Sequence, residues 1–167
     1  MHGMSTIDEL LVNNRAFAAS VVSEQPQARP SRAVTIVTCM DARLDVLRAL
    51  GLRVGEAHVL RNAGGVVTDD VIRSLAISQR HLGTREVMLI HHTGCGMQSV
   101  TDDGFRAELQ QDTGVAPAFA IESFTDVEAD VRQSMLRVRQ CVFLPHRDSV
   151  RGFIYDVETN LLREIQA

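Results

Sequence analysis

Two segments of this chain are apolar on both faces: Ala33 to Cys39 (AVTIVTC) and Glu86 to His91 (EVMLIH). A strand packed on one side alternates apolar and polar residues. A strand without that alternation is covered on both sides. The two segments therefore predict parallel strands inside a sheet that helices flank. Ala57 to Leu60 (AHVL) is a shorter candidate of the same kind. Helical patterns fall between them. Leu44 to Leu50 is short. Thr68 to Leu82 has Thr68 as cap, Asp69 and Asp70 in the first turn, and Val71, Ile72, Leu75, Ala76 and Leu82 on one face, with Gly83 to close it. Phe105 to Gln111 is a weaker helix. Thr125-Asp126-Val127-Glu128 reads as a capping box, opening a helix with Val127, Val131, Met135 and Val138 inward. Gly152 to Val157 and Leu161 to Ile165 read as a hairpin around Glu158-Thr159-Asn160. Strand and helix alternate, so the expected class is α/β: a mostly parallel central sheet flanked by helices, with a C-terminal hairpin and an N-terminal helical arm.

The arm is Ser5 to Val21, with Ile7, Leu10, Leu11, Phe17, Ala18 and Val21 at near-helical spacing, Ser5 as cap, and Asp8 and Glu9 in the first turn. Pro26 and Pro30 follow in a stretch that cannot be helix interior. We divide the single domain, 1–167, into an arm over 1–24, a connector over 25–32 and the body. A loosely tethered arm packs on its own body or on a partner subunit, and the residues alone do not choose. At 167 residues there is room for one ordinary core.

Several partner classes are disfavoured. The net charge is −4 and no basic run is present, which argues against nucleic acid or an anionic membrane as main partner. No apolar stretch approaches the roughly 20 residues of a membrane span. The first residues, MHGMSTIDEL, lack the basic start and apolar core of a signal peptide, so a cytoplasmic location is expected. Three scattered cysteines, Cys39, Cys95 and Cys141, suit thiols or metal ligands better than disulfides.

The chemistry concentrates in three short segments, each directly after a predicted strand. These are Cys39-Met40-Asp41-Ala42-Arg43, Arg61-Asn62-Ala63-Gly64-Gly65 and His91-His92-Thr93-Gly94-Cys95-Gly96. The carboxyl edge of an open parallel sheet is where ligands bind. Taken singly, each segment has a bland explanation. A buried cysteine is usually a small hydrophobe, as we read Cys141. A histidine is usually just hydrogen-bonded, an Asp-x-Arg is usually a surface ion pair, and Gly64-Gly65 could be only a tight turn. None of these explains why all three share one edge.

Cys39 and Asp41 lie two apart and point the same way in extended chain. His92 and Cys95 lie three apart across a glycine-containing turn. Together they offer S, O, N and S, a set that favours zinc over magnesium or calcium. If all four bound, the tetrahedron would be closed and the metal structural. Arg43 tips the reading the other way. Its guanidinium can hold the Asp41 carboxylate bidentately and draw it off the metal. Cys39, His92 and Cys95 then leave a fourth position for water, which zinc would acidify. His91, next to His92 in extended chain, points to the opposite face and is expected to pack rather than to carry protons.

CMDAR, RNAGG and HHTGCG at these separations resemble the β-class carbonic anhydrases. The similarity runs over nearly the whole chain, through VRGFIYDVETNLL near the end. Runs such as RNAGGVVTDDVIRSLAISQR look like the compact bacterial and archaeal branch, especially its small mycobacterial-type members. The resemblance implies Cys39, His92 and Cys95 as zinc ligands, one Zn²⁺ per chain, and Asp41 and Arg43 as a catalytic dyad. Ala63, Gly64 and Gly65 are the candidate lining of a substrate pocket. It also implies a homodimer or homotetramer in which the N-terminal helix reaches across to a neighbouring subunit. There is no tryptophan and no match to the bicarbonate-binding cluster of the regulated branch, so an accessible, Asp–Arg-paired site is expected. The glutamine that lines the plant-type pocket has no counterpart.

The implied reaction is reversible hydration of carbon dioxide to bicarbonate and a proton by zinc-bound hydroxide. The alternative is hydrolysis of carbonyl sulfide to hydrogen sulfide and carbon dioxide. Carbonyl sulfide hydrolases, and more distantly carbon disulfide hydrolases, share the scaffold and motif. A third reading is a zinc-stabilised binding or assembly module without turnover. The Asp–Arg pair argues against it, because a structural site needs no arginine to free its fourth ligand.

Overall fold

The computed structural model describes residues 5–21 and 26–166. Its elements in chain order are α1 (Thr6–Ser20), β1 (Val34–Cys39), α2 (Val46–Ala49), β2 (Ala57–Asn62), α3 (Asp69–Leu82), β3 (Glu86–His92), α4 (Asp102–Thr113), α5 (Val127–Gln140), β4 (Val150–Tyr155) and β5 (Leu162–Ile165). The sheet runs β2-β1-β3-β4-β5. β1 lies parallel between β2 and β3, β4 continues parallel on β3, and β5 turns back antiparallel on β4. The expected α/β sheet with its C-terminal hairpin is therefore present.

Alternation along the strands sends residues to two cores. Val37 and Leu89 face α3 and α5, against Val71, Leu75, Val131, Met135 and Val138. Gly152 makes this packing possible. A Cβ there would stand 2.4 Å from a Val131 methyl carbon, so only glycine lets α5 lie this close to β4. The opposite face carries Ile36 and Ile90 under Leu44 and Val46, and its cover is the four-residue α2. Val59, Met88 and Phe153 on this face stay half-buried.

Some boundaries differ from the sequence expectation. β2 runs on through Arg61 and Asn62, because the ladder with β1 continues to Cys39↔Asn62. α4 begins a turn earlier than Phe105, where the Thr101 side chain accepts from the Gly104 N–H. α5 is capped by Asp126 rather than Thr125, its carboxylate accepting from Glu128 and Ala129. α1 is capped by Ser5 as expected and buries none of its residues. Part of the arm–connector junction, 22–25, lies outside the described residues. Among the described residues, no helix is long and apolar enough to cross a membrane.

Candidate metal centre

The register brings the three motif segments to one edge. Cys39, Asn62 and His92 end their strands side by side, since β1 pairs with both β2 and β3. Backbone binding continues one residue further, with the Met40 N–H donating to the Asn62 carbonyl at 2.8 Å. Beyond His92 the chain turns through Gly94, at φ 62°, and returns Cys95 beside Cys39.

Cys39, His92 and Cys95 are buried, and one ligand atom of each lies within 4.8 Å of the others. The two Sγ atoms are 4.0 Å apart. Two thiolates about 2.3 Å from a tetrahedral zinc would stand roughly 3.8 Å apart, so the pair is already close to metal spacing. His92 supplies a second test. Its Nδ1 lies 2.9 Å from the Thr93 carbonyl, which fixes the proton on Nδ1 and leaves Nε2 as a lone pair. That Nε2 is buried without a hydrogen-bond partner. A buried polar atom without a partner is costly in the absence of a ligand. The donor set and the orphaned nitrogen fit zinc.

The hydrogen bond from Cys95 lowers the Cys39 thiol to about 4, with contact to His92 adding to it. Cys95 is pushed up in turn by the neighbouring Cys39 and by burial. Burial works against charge on His92, yet contact with Cys39 and the Thr93 carbonyl lifts its pKa.

Asp41 and Arg43 form the bidentate pair the sequence suggested. Arg43 Nε donates to Asp41 Oδ1 at 2.9 Å and Nη2 to Oδ2 at 2.7 Å, with the Arg43 backbone N–H also on Oδ1. These bonds hold the Asp41 carboxyl well below the usual range. Arg43 Nη2 also donates to the Gly94 carbonyl at 3.0 Å, so it joins the cysteine-aspartate segment to the histidine-cysteine turn. Asp41 Oδ2 sits 3.7 Å from His92 Nε2, close to the ligand atoms but held by arginine.

A cavity of about 650 Å³ adjoins this edge, lined by Met40, Ala63, Met97, Val100, Phe105 and Phe119 among others. Of the three candidate pocket residues, Ala63 lines it. Gly64 and Gly65 are buried behind the centre, Gly64 against Phe124 and Met97, Gly65 against the Thr38 and Cys39 backbone.

Two contributors carry no local signal in the sequence. Phe124 packs with Cys39, Cys95 and Val66, although it lies 29 residues past Cys95 in an irregular stretch. Asp130 on α5 binds His91 Nε2 at 2.6 Å, and the His91 ring stands against Phe124. His91 is thus a buried histidine bound through Nε2 alone, its Nδ1 lacking a partner. Cys141 packs against the main core.

Fold and donor set define an α/β protein with a Cys-His-Cys candidate metal centre at the carboxyl edge of its sheet. A family model described as carbonic anhydrase matches residues 34–135. The chain is 52% identical over 162 residues to beta-carbonic anhydrase 1 of Mycobacterium tuberculosis, covering 97% of this chain and 99% of that one. It is 32% identical to a carbon disulfide hydrolase of Saccharolobus solfataricus, covering 80% of this chain and 77% of the relative. The crystal structure of a carbonic anhydrase from Streptococcus mutans superposes with a TM-score of 0.90 at 42% identity, covering 99% of this chain and all of that one. The chain belongs to the β-carbonic anhydrase family.

Proposed function

We propose that the chain is a zinc-dependent carbonate dehydratase, reversibly hydrating carbon dioxide to bicarbonate and a proton. The observation that carries this is the Asp41–Arg43 pair standing beside a Cys39–His92–Cys95 cluster. Those three side chains would hold the ion, one per chain. Bound there, zinc would acidify a coordinated water and supply a hydroxide nucleophile near neutral pH.

The chain's own residues do the rest. Arg43 ties up both Asp41 oxygens and so keeps the carboxylate from completing the ligand set. The remaining lone pairs of Asp41 accept a hydrogen bond from the nucleophile and orient its attack. Arg43 also cancels the Asp41 charge, so the bicarbonate anion meets a neutral pair on leaving. The apolar cavity beside Ala63 and Met97 suits a small linear molecule without hydrogen-bond donors.

Carbonyl sulfide has the same shape and electrophilic carbon, and the 32% identity to a carbon disulfide hydrolase keeps that second hydrolytic reading open. Both gases should be assayed on one preparation with zinc content measured. About one zinc per chain and carbon dioxide hydration are expected, with zinc lost in Cys39→Ser and Cys95→Ser. Full zinc occupancy in both variants would refute the ligand assignment. Carbonyl sulfide turnover without carbon dioxide hydration would replace the first reading by the second.

Self-association as a homodimer or homotetramer belongs to the same proposal. The exposed apolar side chains of α1 and the thinly covered sheet face under α2 support it.

A further inference from the structure

The segment that carries Asp41 leaves the sheet at Met40 and enters α2 only at Val46, so the ladder does not hold its backbone. Its own backbone bonds are few. Leu44 N–H donates to the Asp41 carbonyl at 3.1 Å, closing one turn. Besides the Arg43–Gly94 contact, what fastens the segment to the body comes from β2. Arg61 Nε donates to the Cys39 carbonyl at 2.9 Å, Nη1 to the Leu44 carbonyl at 3.1 Å and Nη2 to the Asp41 carbonyl at 2.7 Å. Among the described residues Arg61 has no carboxylate partner. Its charge is spent on three carbonyl dipoles of one short segment.

We infer that Arg61 is a positioning residue for the Asp41–Arg43 pair, holding the backbone from Cys39 to Leu44 so that the Asp41 carboxylate stands beside the metal ligands. The inference rests on the proposed function, since the pair has work to do only at a loaded site. Arginine suits the task because its planar fork donates in several fixed directions at once, where a lysine is a single point charge. Hydrogen bonds from a charged donor are stronger than neutral ones. The Asp41–Arg43 bonds lie within the segment, so the pair would survive loss of Arg61. Its placement against His92, now 3.7 Å, would then rest on the single Arg43–Gly94 bond and should shift. Cys39 itself stays on the β1 ladder, so the ligand set should persist.

The test compares wild type, Arg61→Ala and Arg61→Lys as zinc-loaded and cobalt-substituted proteins. Arg61→Ala should keep wild-type metal content and lose kcat by roughly 10²-fold, the scale of a misplacement near 1 Å, with KM little changed. Its cobalt absorption spectrum should change, and added guanidinium chloride should restore part of kcat in this variant and not in wild type. Arg61→Lys should fall between. A purely structural role would lower stability without moving the cobalt spectrum or responding to guanidinium. Wild-type kcat and spectrum in Arg61→Ala overturn the inference. If that variant does not fold, Arg61→Lys decides: lowered kcat with an altered spectrum supports positioning, and wild-type values overturn it. A wild-type protein without zinc-dependent hydration would instead sink the proposed function, so the two failures are told apart.

Discussion

Asp41 is claimed from two sides. Arg43 holds both its oxygens, at 2.9 and 2.7 Å, while one of them already lies 3.7 Å from the orphaned nitrogen of His92. A carboxylate that close to a loaded zinc needs only a small rotation to become its fourth ligand. Arg43→Ala should permit that rotation. The expected product is a folded, zinc-replete protein with activity down about 10²-fold. Anion inhibitors, which require the fourth position, should bind it weakly. The spectrum of the cobalt-substituted variant would report whether carboxylate has replaced solvent. Unchanged activity together with unchanged anion binding would return the pair to a plain surface salt bridge, of the kind worth little in water.

At the scale of elements, the turn after β2 supports the ligand strand from behind. Gly65 has φ +72°, and a Cβ there would lie 2.9 Å from the Cys39 nitrogen and 2.9 Å from the Thr38 carbonyl carbon. Those are backbone atoms and cannot rotate aside. Gly65→Ala should destabilise by about 1–3 kcal/mol from the left-handed backbone alone, with the clash adding to it. Urea denaturation measures this, and a midpoint within error of wild type would contradict it. A second contact ties the start of α4 to the stretch that delivers Phe124. Asp102 accepts from both the hydroxyl and the backbone N–H of Ser123, which lowers its pKa. Folding therefore favours the ionised form. The contribution is complete above the unfolded value near 3.8 and is lost as pH falls through the lower folded value. Wild type should melt above Ser123→Ala at neutral pH, with the gap shrinking as pH drops below about 4. A gap independent of pH would show that the ionised carboxylate is not involved. Elements with a buried stripe were the legible ones. β1, β3 and α3 announce themselves by patterning, and α3 by both caps. α4 buries no residue, so no period marks it, and its start depends on Thr101. Thr125 and Asp126 are both competent caps, and the choice between them is made by the backbone. The Cys39–His92–Cys95 cluster and the Asp41–Arg43 pair were legible because each motif is local. Phe124, Asp130 and the carbonyl contacts of Arg61 arise only when distant segments meet.

At the scale of the molecule, two apolar surfaces have no partner among the described residues. On α1, Ile7, Leu10, Leu11 and Phe17 are 69%, 60%, 49% and 66% exposed, at spacings that favour one side of the helix. A 15-residue helix that buries nothing is marginal in water, because nucleation is unfavourable and propagation gains little per residue. The second surface is the sheet face under α2, where Val59, Met88 and Phe153 remain half-buried around Ile36 and Ile90. One body offers a helix in want of a groove, and a sheet in want of a layer. A second copy would supply both, and a symmetric pair would satisfy each surface twice. The double variant Leu10→Glu, Phe17→Glu places charge on the α1 stripe and touches none of the residues of the metal centre. Wild type should sediment as a dimer or tetramer and the variant at a smaller mass, with its zinc content intact. The exposed stripe on α1 supplies the physical cause of that expected direction. Wild type sedimenting as a single chain would refute the assembly. A variant that keeps the full wild-type mass would show that α1 is not what holds the subunits together, and would move the contact to the sheet face.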